Sequence, residues 1–472
     1  MTAHRAGVIR RPRAGVAGSR APFGWAPLIV LFIVGLVDRI ENNLLSGVLP
    51  AVQREWGFND TAAGSIPTAA ALAAAVVCLP AGFLADRLSR TRIIAVVVFV
   101  WAIATLGSGL ATGFVMFYLM RVLLAAAENV DNPAAGSLLA DYYPPVSRAK
   151  AYGLTRATSH LGGVGTLLGG VLAEAFSWRV AFLVIVVPGV LTALLVWLLR
   201  EPSRGELDRL VASVGAFPAS LAPAHTGSAA PKAEPSLWRQ LRQVLAIPTL
   251  VLVCAGQSLL TLGLAGIFYW LPTFMVRNLG VGTGTAGSLS GLIPVAGTLT
   301  GTLVGSWLGG KWHGTRKGGR LLAGGGGITA GSLVLAAALS TESIGSLTAL
   351  VLLSCSLMAI AIPNLTACLA DVVPAASRGL GFAVLQLLLT AGGAFGPLIV
   401  GIASDRLGSL HAGMYLLVIP TVAGGLLTLR ARTSYERDAS KVIREAAAGA
   451  PVLGQHTRPS PWHDVRKGDA ST

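Results

Sequence analysis

Apolar runs of about 20 residues recur along most of this 472-residue chain, and a helix of that length crosses the roughly 30 Å hydrocarbon core of a bilayer. Apolar residues make up 53% of the sequence and charged residues only 12%. A soluble protein of this size would need more polar side chains than this to cover its core. The apolar content also excludes a disordered chain. The sequence is therefore predicted to fold in a membrane.

The runs predict twelve transmembrane helices. Alternation of apolar and polar residues at strand spacing is missing from them, which argues against a membrane β-barrel. We therefore expect an all-α membrane protein in which two pseudo-symmetric six-helix bundles enclose a central cavity. The predicted spans are residues 26–48, 63–85, 93–112, 115–139, 150–172, 179–199, 247–272, 285–308, 320–340, 345–369, 379–402 and 411–429.

A polar stretch rich in Pro, Ser, Ala and charge separates the first six spans from the last six. It predicts a long cytoplasmic linker over residues 200–246. The remaining segments are a basic tail over 1–24, an N-terminal bundle over 25–199, a C-terminal bundle over 247–431 and a polar, poorly ordered tail over 432–472. We refer to the two bundles as the N-half and the C-half.

The formal net charge of +15 would suit a nucleic-acid-binding protein, but the basic residues lie between the apolar runs and form no single stripe. Of the 36 Lys and Arg residues, 29 fall in the two tails and in the loops on the side of the tails. Cytoplasmic loops carry such an excess. Both termini are therefore predicted to be cytoplasmic, with the bilayer rather than nucleic acid as the macromolecular environment.

The two halves repeat each other at an offset of 230 residues. The sequence Ala-Asp-Tyr-Tyr-Pro-Pro-Val-Ser-Arg follows the fourth span, and Ala-Asp-Val-Val-Pro-Ala-Ala-Ser-Arg follows the tenth. Asp141 and Arg148 thus correspond to Asp371 and Arg378, and all four are predicted to serve structural or gating roles. A repeat of this length predicts bundles related by an axis along the membrane normal.

The loop after the second span reads Gly-Phe-Leu-Ala-Asp-Arg-Leu-Ser-Arg over residues 82–90. This loop, with the six-plus-six organisation, resembles the major facilitator superfamily. The resemblance implies a secondary transporter that works by alternating access, with Asp86, Arg87 and Arg90 in gating or structural roles. Residues 34–60 and 121–144 are similar to the Spinster-like branch, which carries Asp-Arg in the first span and Arg-x6-Glu in the fourth. That narrower resemblance implies proton-coupled transport of a lysophospholipid or a sphingosine phosphate-like lipid.

Ionisable residues inside membrane spans are costly and mark a pathway or a relay. The predicted spans of the C-half have none in their interiors, whereas those of the N-half have seven: Asp38, Arg39, Glu41, Arg121, Glu128, Asp131 and Arg156.

Asp38 and Glu128 fall near the middle of the first and fourth spans, so they can face each other at the bilayer midplane. Carboxyl groups balanced between burial and nearby arginines can titrate near neutral pH, and both are predicted to couple protons, Glu128 foremost. Arg121, with Arg39 and Asn42, is predicted to bind the anionic group of a substrate.

Asp131 and Arg156 lie nearer the cytoplasmic ends of their spans and are predicted to form a structural pair or an inner gate. Glu41 is predicted either to line the cavity or to pair with Arg39. The alternative for the charged residues of the first and fourth spans is a buried salt-bridge network that only holds the two helices together. A non-transporting receptor or scaffold is disfavoured, because it would gain nothing from charges at the midplane.

The sequence contains no nucleotide motif, nucleophile elbow or zinc-ligand spacing, so an enzyme, a cofactor and a metal site are not expected. A charged N-half facing an apolar C-half suits an amphipathic anionic lipid, and it would also suit a small organic anion or a drug. Arginine outnumbers lysine 30 to 6, which suggests a GC-rich bacterial genome and hence the bacterial cytoplasmic membrane. We expect a monomer.

Overall fold

The computed structural model describes residues 23–203 except 88 and 144, and residues 237–449 except 375 and 376. Within these ranges the chain forms helices and short connections without a strand, which confirms the predicted all-α class. The N-half comprises α1 (Ala26–Trp56), α2 (Asp60–Arg87), α3 (Arg90–Gly109), α4 (Phe114–Tyr142), α5 (Pro145–Ala157), a 3-10 turn (Thr158–His160), α6 (Gly163–Ala175) and α7 (Trp178–Trp197).

The C-half is preceded by the short helix α8 (Leu237–Leu245). Its helices are α9 (Pro248–Leu279), α10 (Thr283–Trp312), α11 (Gly319–Leu339), α12 (Ile344–Ala359), α13 (Ala361–Val372), α14 (Arg378–Leu407), α15 (Leu410–Leu416), α16 (Val418–Arg430) and α17 (Arg432–Gly449). We call the end of the bundles that carries the linker the inner end, following the predicted orientation, and the opposite end the outer end.

Among the described residues, nine helical segments are long and apolar enough to cross a membrane, and they coincide with predicted spans 2, 3, 6 and 7 to 12. The first, fourth and fifth predicted spans do not meet these criteria of length and apolarity, and the sequence explains why. With 31 and 29 residues, α1 and α4 are long enough to cross, but they carry the interior charges. The fifth span is divided into α5 and α6, of 13 residues each.

The interruption of the fifth span lies against the charged stretch of α1. A Cβ atom at Gly162 would lie 2.5 Å from Nδ2 of Asn43 and 3.5 Å from the carbonyl oxygen of Arg39. A larger residue here would displace the Asn43 side chain. Irregular backbone at membrane depth is tolerated where protein or a cavity satisfies its polar groups. The predicted tenth span is also interrupted, at Ile360 between α12 and α13.

The two halves meet along α6 and α10 with almost no side chains between the helices. A Cβ at Gly163 would overlap the carbonyl oxygen of Gly291, and a Cβ at Gly170 would lie 2.8 Å from Cα of Gly287. We call these four residues the glycine seam. Small residues permit such close helix packing in membranes.

The sequence repeat reappears as two matching ion pairs at the inner end. Arg90 at the start of α3 pairs with Asp141 near the end of α4, and Arg320 in α11 pairs with Asp371 in α13. Both members of the second pair lie 230 residues after those of the first. Each pair links two helices of the same half, so the inner ends of the two halves are stabilised in the same way.

The C-terminal tail was expected to be poorly ordered, but its first 18 residues form α17. The Tyr435 hydroxyl donates to Oδ2 of Asp371 at 2.7 Å, and Oδ2 of Asp438 accepts a hydrogen bond from the Thr249 hydroxyl at 2.7 Å. These polar anchors explain why a segment of low hydropathy docks on the C-half. Residues 1–22, 204–236 and 450–472 lie outside the described part of the chain.

Candidate functional site

The described interior charges gather between α1 and α4. Asp38 lies 12 residues after the start of α1 and Glu128 lies 14 residues after the start of α4, so each is roughly 20 Å along its helix. Both therefore stand near the middle of the membrane. The side chains of Asp131 and Arg156 lie outside the described part of the structure, and their predicted pairing stays a prediction.

Asp38 and Glu128 both line a narrow pocket inside the N-half. Glu128 Oε2 accepts from Nδ2 of Asn42 at 2.6 Å, and its Oε1 accepts from the Trp101 indole N–H at 3.2 Å. Two carboxyl groups in one pocket repel each other when both are ionised, and a proton on either of them removes that repulsion. The other lining residues are Val34, Val97 and Val98.

Arg39 extends from the same stretch of α1 but is more open. Its Nε lies 3.4 Å from Oδ2 of Asp38, and 39% of its side chain is exposed. Asn42 is exposed as well. A guanidinium at this depth would be costly against lipid, so the exposed face of α1 is expected to line a water-filled space. Arg39 and Asn42 are the polar groups of the cluster that a substrate can reach.

Arg121 occupies a different setting from the one that the sequence predicts. Its guanidinium forms a buried ion pair with Glu41, with 4% of the Arg121 side chain and none of the Glu41 side chain exposed. The Thr105 hydroxyl lies 3.4 Å from the same Glu41 oxygen, and the guanidinium carbon lies 5.5 Å from the centre of the Phe182 ring. Glu41 therefore pairs with Arg121 and not with Arg39. Helical spacing could not reveal this partnership, because the two residues lie on different helices.

At the outer end a polar cluster joins the two halves. Asp60, the first residue of α2, accepts hydrogen bonds from Nη1 of Arg277 at 2.9 Å and from the Ser404 hydroxyl at 2.6 Å. The carboxylate of Asp405 accepts hydrogen bonds from the backbone N–H groups of Asp60 and Thr61 at 3.1 and 2.8 Å. It thereby caps the N-terminus of α2. The outer end is closed in this conformation. Sequence reasoning missed this cluster, since its members appeared only as loop charges.

Asp60→Asn is expected to weaken this closure, because a charge-assisted bond to Arg277 is lost, worth about 1.5–3 kcal/mol. We expect a cysteine at Thr68, a buried residue whose hydroxyl bonds the Ala394 carbonyl across the halves, to react roughly tenfold faster with an impermeant maleimide. All variants for this labelling experiment are made in a parent protein whose four native cysteines have been replaced.

Glu55→Gln is the control for this labelling experiment. It removes an ion pair with Arg179, also at the outer end, that lies wholly within the N-half. Its labelling rate should stay at the starting value. If Asp60→Asn also leaves the labelling rate at its starting value, the cluster does not hold the outer end closed.

At the inner end the predicted structural arginine Arg90 is almost fully enclosed. Its guanidinium bonds Asp141, Glu201 at 3.1 Å and the Pro202 carbonyl at 2.9 Å. Burial alone would raise the pKa of Glu201, but hydrogen bonds from the backbone and side chains of Thr91 and Arg90 outweigh it and hold that pKa at about 2. A carboxylate from beyond the sixth span therefore ties the start of α3 in place.

The other predicted gating residues have different surroundings. Arg148 donates to the carbonyl oxygens of Tyr143 and Ala140 and thereby caps the end of α4. Arg378, its counterpart in the repeat, is exposed at the start of α14. The side chains of Asp86 and Arg87 lie outside the described part of the structure, so their gating role stays a prediction.

Comparison with known proteins identifies the family. Residues 31–397 match the sequence model of the Major Facilitator Superfamily. The chain belongs to this superfamily. It is therefore a membrane transporter by family, and the predicted resemblance at this level is confirmed.

Two curated relatives illustrate how this superfamily member resembles others. The probable galactarate/D-glucarate transporter GudP of Bacillus subtilis is 25% identical over 302 residues, which cover 61% of this chain and 65% of the relative. Human protein spinster homolog 1 is 26% identical over 255 residues, which cover 53% and 45% of the two chains. The chain thus spans less than two thirds of the length of either relative.

A solved structure resembles the fold over most of its length. The inward-facing crystal structure of a bacterial homolog of the human lysosomal transporter Spinster aligns with a TM-score of 0.70. The sequences are 22% identical, and the alignment covers 89% of this chain and 97% of the other. The likeness confirms the predicted fold.

Proposed function

We propose that the protein is a proton-coupled secondary transporter that moves an amphipathic anionic lipid, such as a lysophospholipid, by alternating access. The observation that carries the proposal is the pair of carboxyl groups of Asp38 and Glu128, which line one pocket at mid-membrane depth beside the accessible guanidinium of Arg39. A carboxyl pair that holds one proton supports coupling, and a guanidinium beside it supports an anionic substrate.

The distribution of polarity supports a lipid. The described interior charges all belong to the N-half, where a phosphate or carboxylate headgroup would bind. The C-half offers an apolar groove of about 360 Å³ between α9 and α14, which suits an alkyl chain. Its lining is Leu245, Leu250, Val251, Cys254, Ala255, Ser258, Leu259, Val384 and Leu388. The resemblance of residues 34–60 and 121–144 to the Spinster-like branch implies the same substrate class.

A small organic anion is the second candidate substrate. The pocket that holds the carboxyl pair has only about 10 Å³ of free space, and the similarity to the galactarate/D-glucarate transporter extends over 61% of the chain. Both candidates share the N-half charges and differ in what the C-half contacts. We further propose a monomer in the bacterial cytoplasmic membrane with both termini cytoplasmic.

Ligand-induced stabilisation of the purified full chain distinguishes these substrates. We expect lysophosphatidylglycerol to raise the melting temperature at pH 5.5 by several degrees, because a ligand at 100 times its Kd stabilises by about 2.7 kcal/mol. Thermal unfolding in detergent gives the measurement, and the control is the neutral monoacylglycerol with the same acyl chain. Stabilisation by D-glucarate alone would favour the small anion. Stabilisation by neither anion would contradict the proposed function.

A further inference from the structure

The buried ion pair of Glu41 and Arg121 is the part of the charge cluster that the proton pair of Asp38 and Glu128 does not explain. Among the described residues, Glu41 Oε2 and Arg121 Nε are fully buried polar atoms without a hydrogen-bond partner. Buried polar groups are almost always satisfied, and an exception calls for a functional or structural reason. Here the guanidinium keeps an unused donor, and the carboxylate keeps an unused acceptor.

The charged neighbours of Glu41 decide what this pair can do. On α1 they are Asp38 and Arg39, and on α4 they are Arg121 and Glu128. The facing residues of α3 and α7, Thr105 and Phe182, carry no charge, and Tyr269 of α9 approaches Arg121 from the C-half.

A substrate anion bound to Arg121 while Glu41 is ionised would place two negative charges on one guanidinium at membrane depth. Asp38 and Glu128 would add further repulsion. Like charges repel each other strongly in a medium of low polarity. An anion can therefore use the free donor of Arg121 only after Glu41 loses its charge.

We propose that Glu41 is a resident counter-ion that competes with the anionic substrate for Arg121, so that protonation of Glu41 opens an anion-binding site. This inference rests on the proposed function and deepens it, since it makes Glu41 a specificity-determining residue distinct from the Asp38–Glu128 pair. It also explains why Arg121 is buried: the guanidinium is kept neutralised until an anion and a proton arrive together.

The test is the pH dependence of anion binding to the purified full chain, measured by titration calorimetry with lysophosphatidylglycerol and with D-glucarate between pH 5 and 8. One proton taken up per anion makes the Kd rise about tenfold per pH unit above the titration midpoint. Glu41→Gln is expected to bind the same probe with a Kd that changes less than about twofold across this range. Arg121→Gln in the Glu41→Gln background should lose binding at least tenfold, since the binding group itself is gone.

Glu55→Gln is the matched control, because Glu55 pairs with Arg179 from the same helix α1 but at the exposed outer end. It should keep the pH dependence of the unmodified protein. A folded Glu41→Gln variant with an unchanged pH slope, or with binding lost at every pH, would overturn the inference while leaving proton-coupled anion transport intact. Binding of neither anion by the unmodified protein would instead overturn the proposed function, and this inference with it.

If Glu41→Gln is not recovered in folded form, Thr105→Val supplies the second measurement. The substitution removes a hydrogen bond to the Glu41 oxygen that faces Arg121. It should move the midpoint of anion binding to higher pH, because the charged form of Glu41 loses support. An unmoved midpoint would count against the competition.

Discussion

Glu128→Gln is expected to reduce proton-driven uptake to the level of protein-free liposomes while leaving substrate binding within about threefold of its starting value. Glutamine keeps one acceptor oxygen for the Trp101 indole N–H, and its NH2 group takes the place of the oxygen that faces Asn42, so the pocket stays filled and the second bond can re-form when the Asn42 amide turns its oxygen towards that group. It cannot exchange a proton. The measurement is the initial rate of lysophosphatidylglycerol uptake by proteoliposomes under an imposed pH gradient.

Substrate exchange without a pH gradient is the internal control for the Glu128 variant. Exchange needs only the movement of the loaded carrier, so Glu128→Gln should retain it. Asp38→Asn is expected to lose driven uptake as well, because the two carboxyl groups line the same pocket and their titrations are therefore linked. Driven uptake at the normal rate in Glu128→Gln would rule out the pair as the coupling site.

Arg90→Met is expected to lower the stability of the protein by about 3–5 kcal/mol, which for a 472-residue chain corresponds to roughly 3–5 °C in melting temperature. The Arg90 side chain is only 1% exposed, and its removal takes away the guanidinium that pairs with Asp141 and Glu201. Thermal unfolding of the purified protein gives the measurement.

Arg320→Met is the control that the sequence repeat provides. Arg320 forms the corresponding pair in the C-half, but 22% of its side chain and 33% of that of Asp371 are exposed. Solvent can replace much of this interaction, so the loss should be about 1 kcal/mol or less. Equal losses at the two positions would show that burial does not distinguish them.

The pH dependence of the Arg90 effect follows from Glu201. Its folded-state pKa of about 2 lies below the usual 4.5, so the stabilisation from its ionised form is present above about pH 4.5. That contribution is lost as the pH falls from 4.5 towards 2. The difference in melting temperature between Arg90→Met and the unmodified protein should therefore shrink over this interval.

The fold was largely predictable, because bilayer thickness translates directly into the length of apolar runs. The 230-residue repeat likewise predicted matching inner ends, which the structure reveals as the pairs of Arg90 with Asp141 and Arg320 with Asp371. The break around Gly162 and the docking of α17 were not predictable. Both depend on contacts with distant segments, namely Asn43 in the first case and Asp371 in the second.

The candidate site was predictable in composition but not in pairing. Charges in apolar runs stand out in any sequence, and the depth of Asp38 and Glu128 followed from counting residues. The partner of Arg121 depends on the rotation of α1 about its axis, which turns Glu41 towards α4 and Arg39 towards the open space. The Asp60 cluster was missed because hydrophobic periodicity carries no information on which loops meet across the two halves.

The glycine seam has a consequence for the energetics of transport. Glycine has no rotamers to lose, so parting or joining α6 and α10 changes little side-chain conformational entropy at Gly163, Gly170, Gly287 and Gly291. At these four glycines the two helices can separate without any change of side-chain rotamer. The balance between the two end states then depends on the polar groups beside the seam, and a bound anion or proton shifts that balance by the difference in its affinity for the two states.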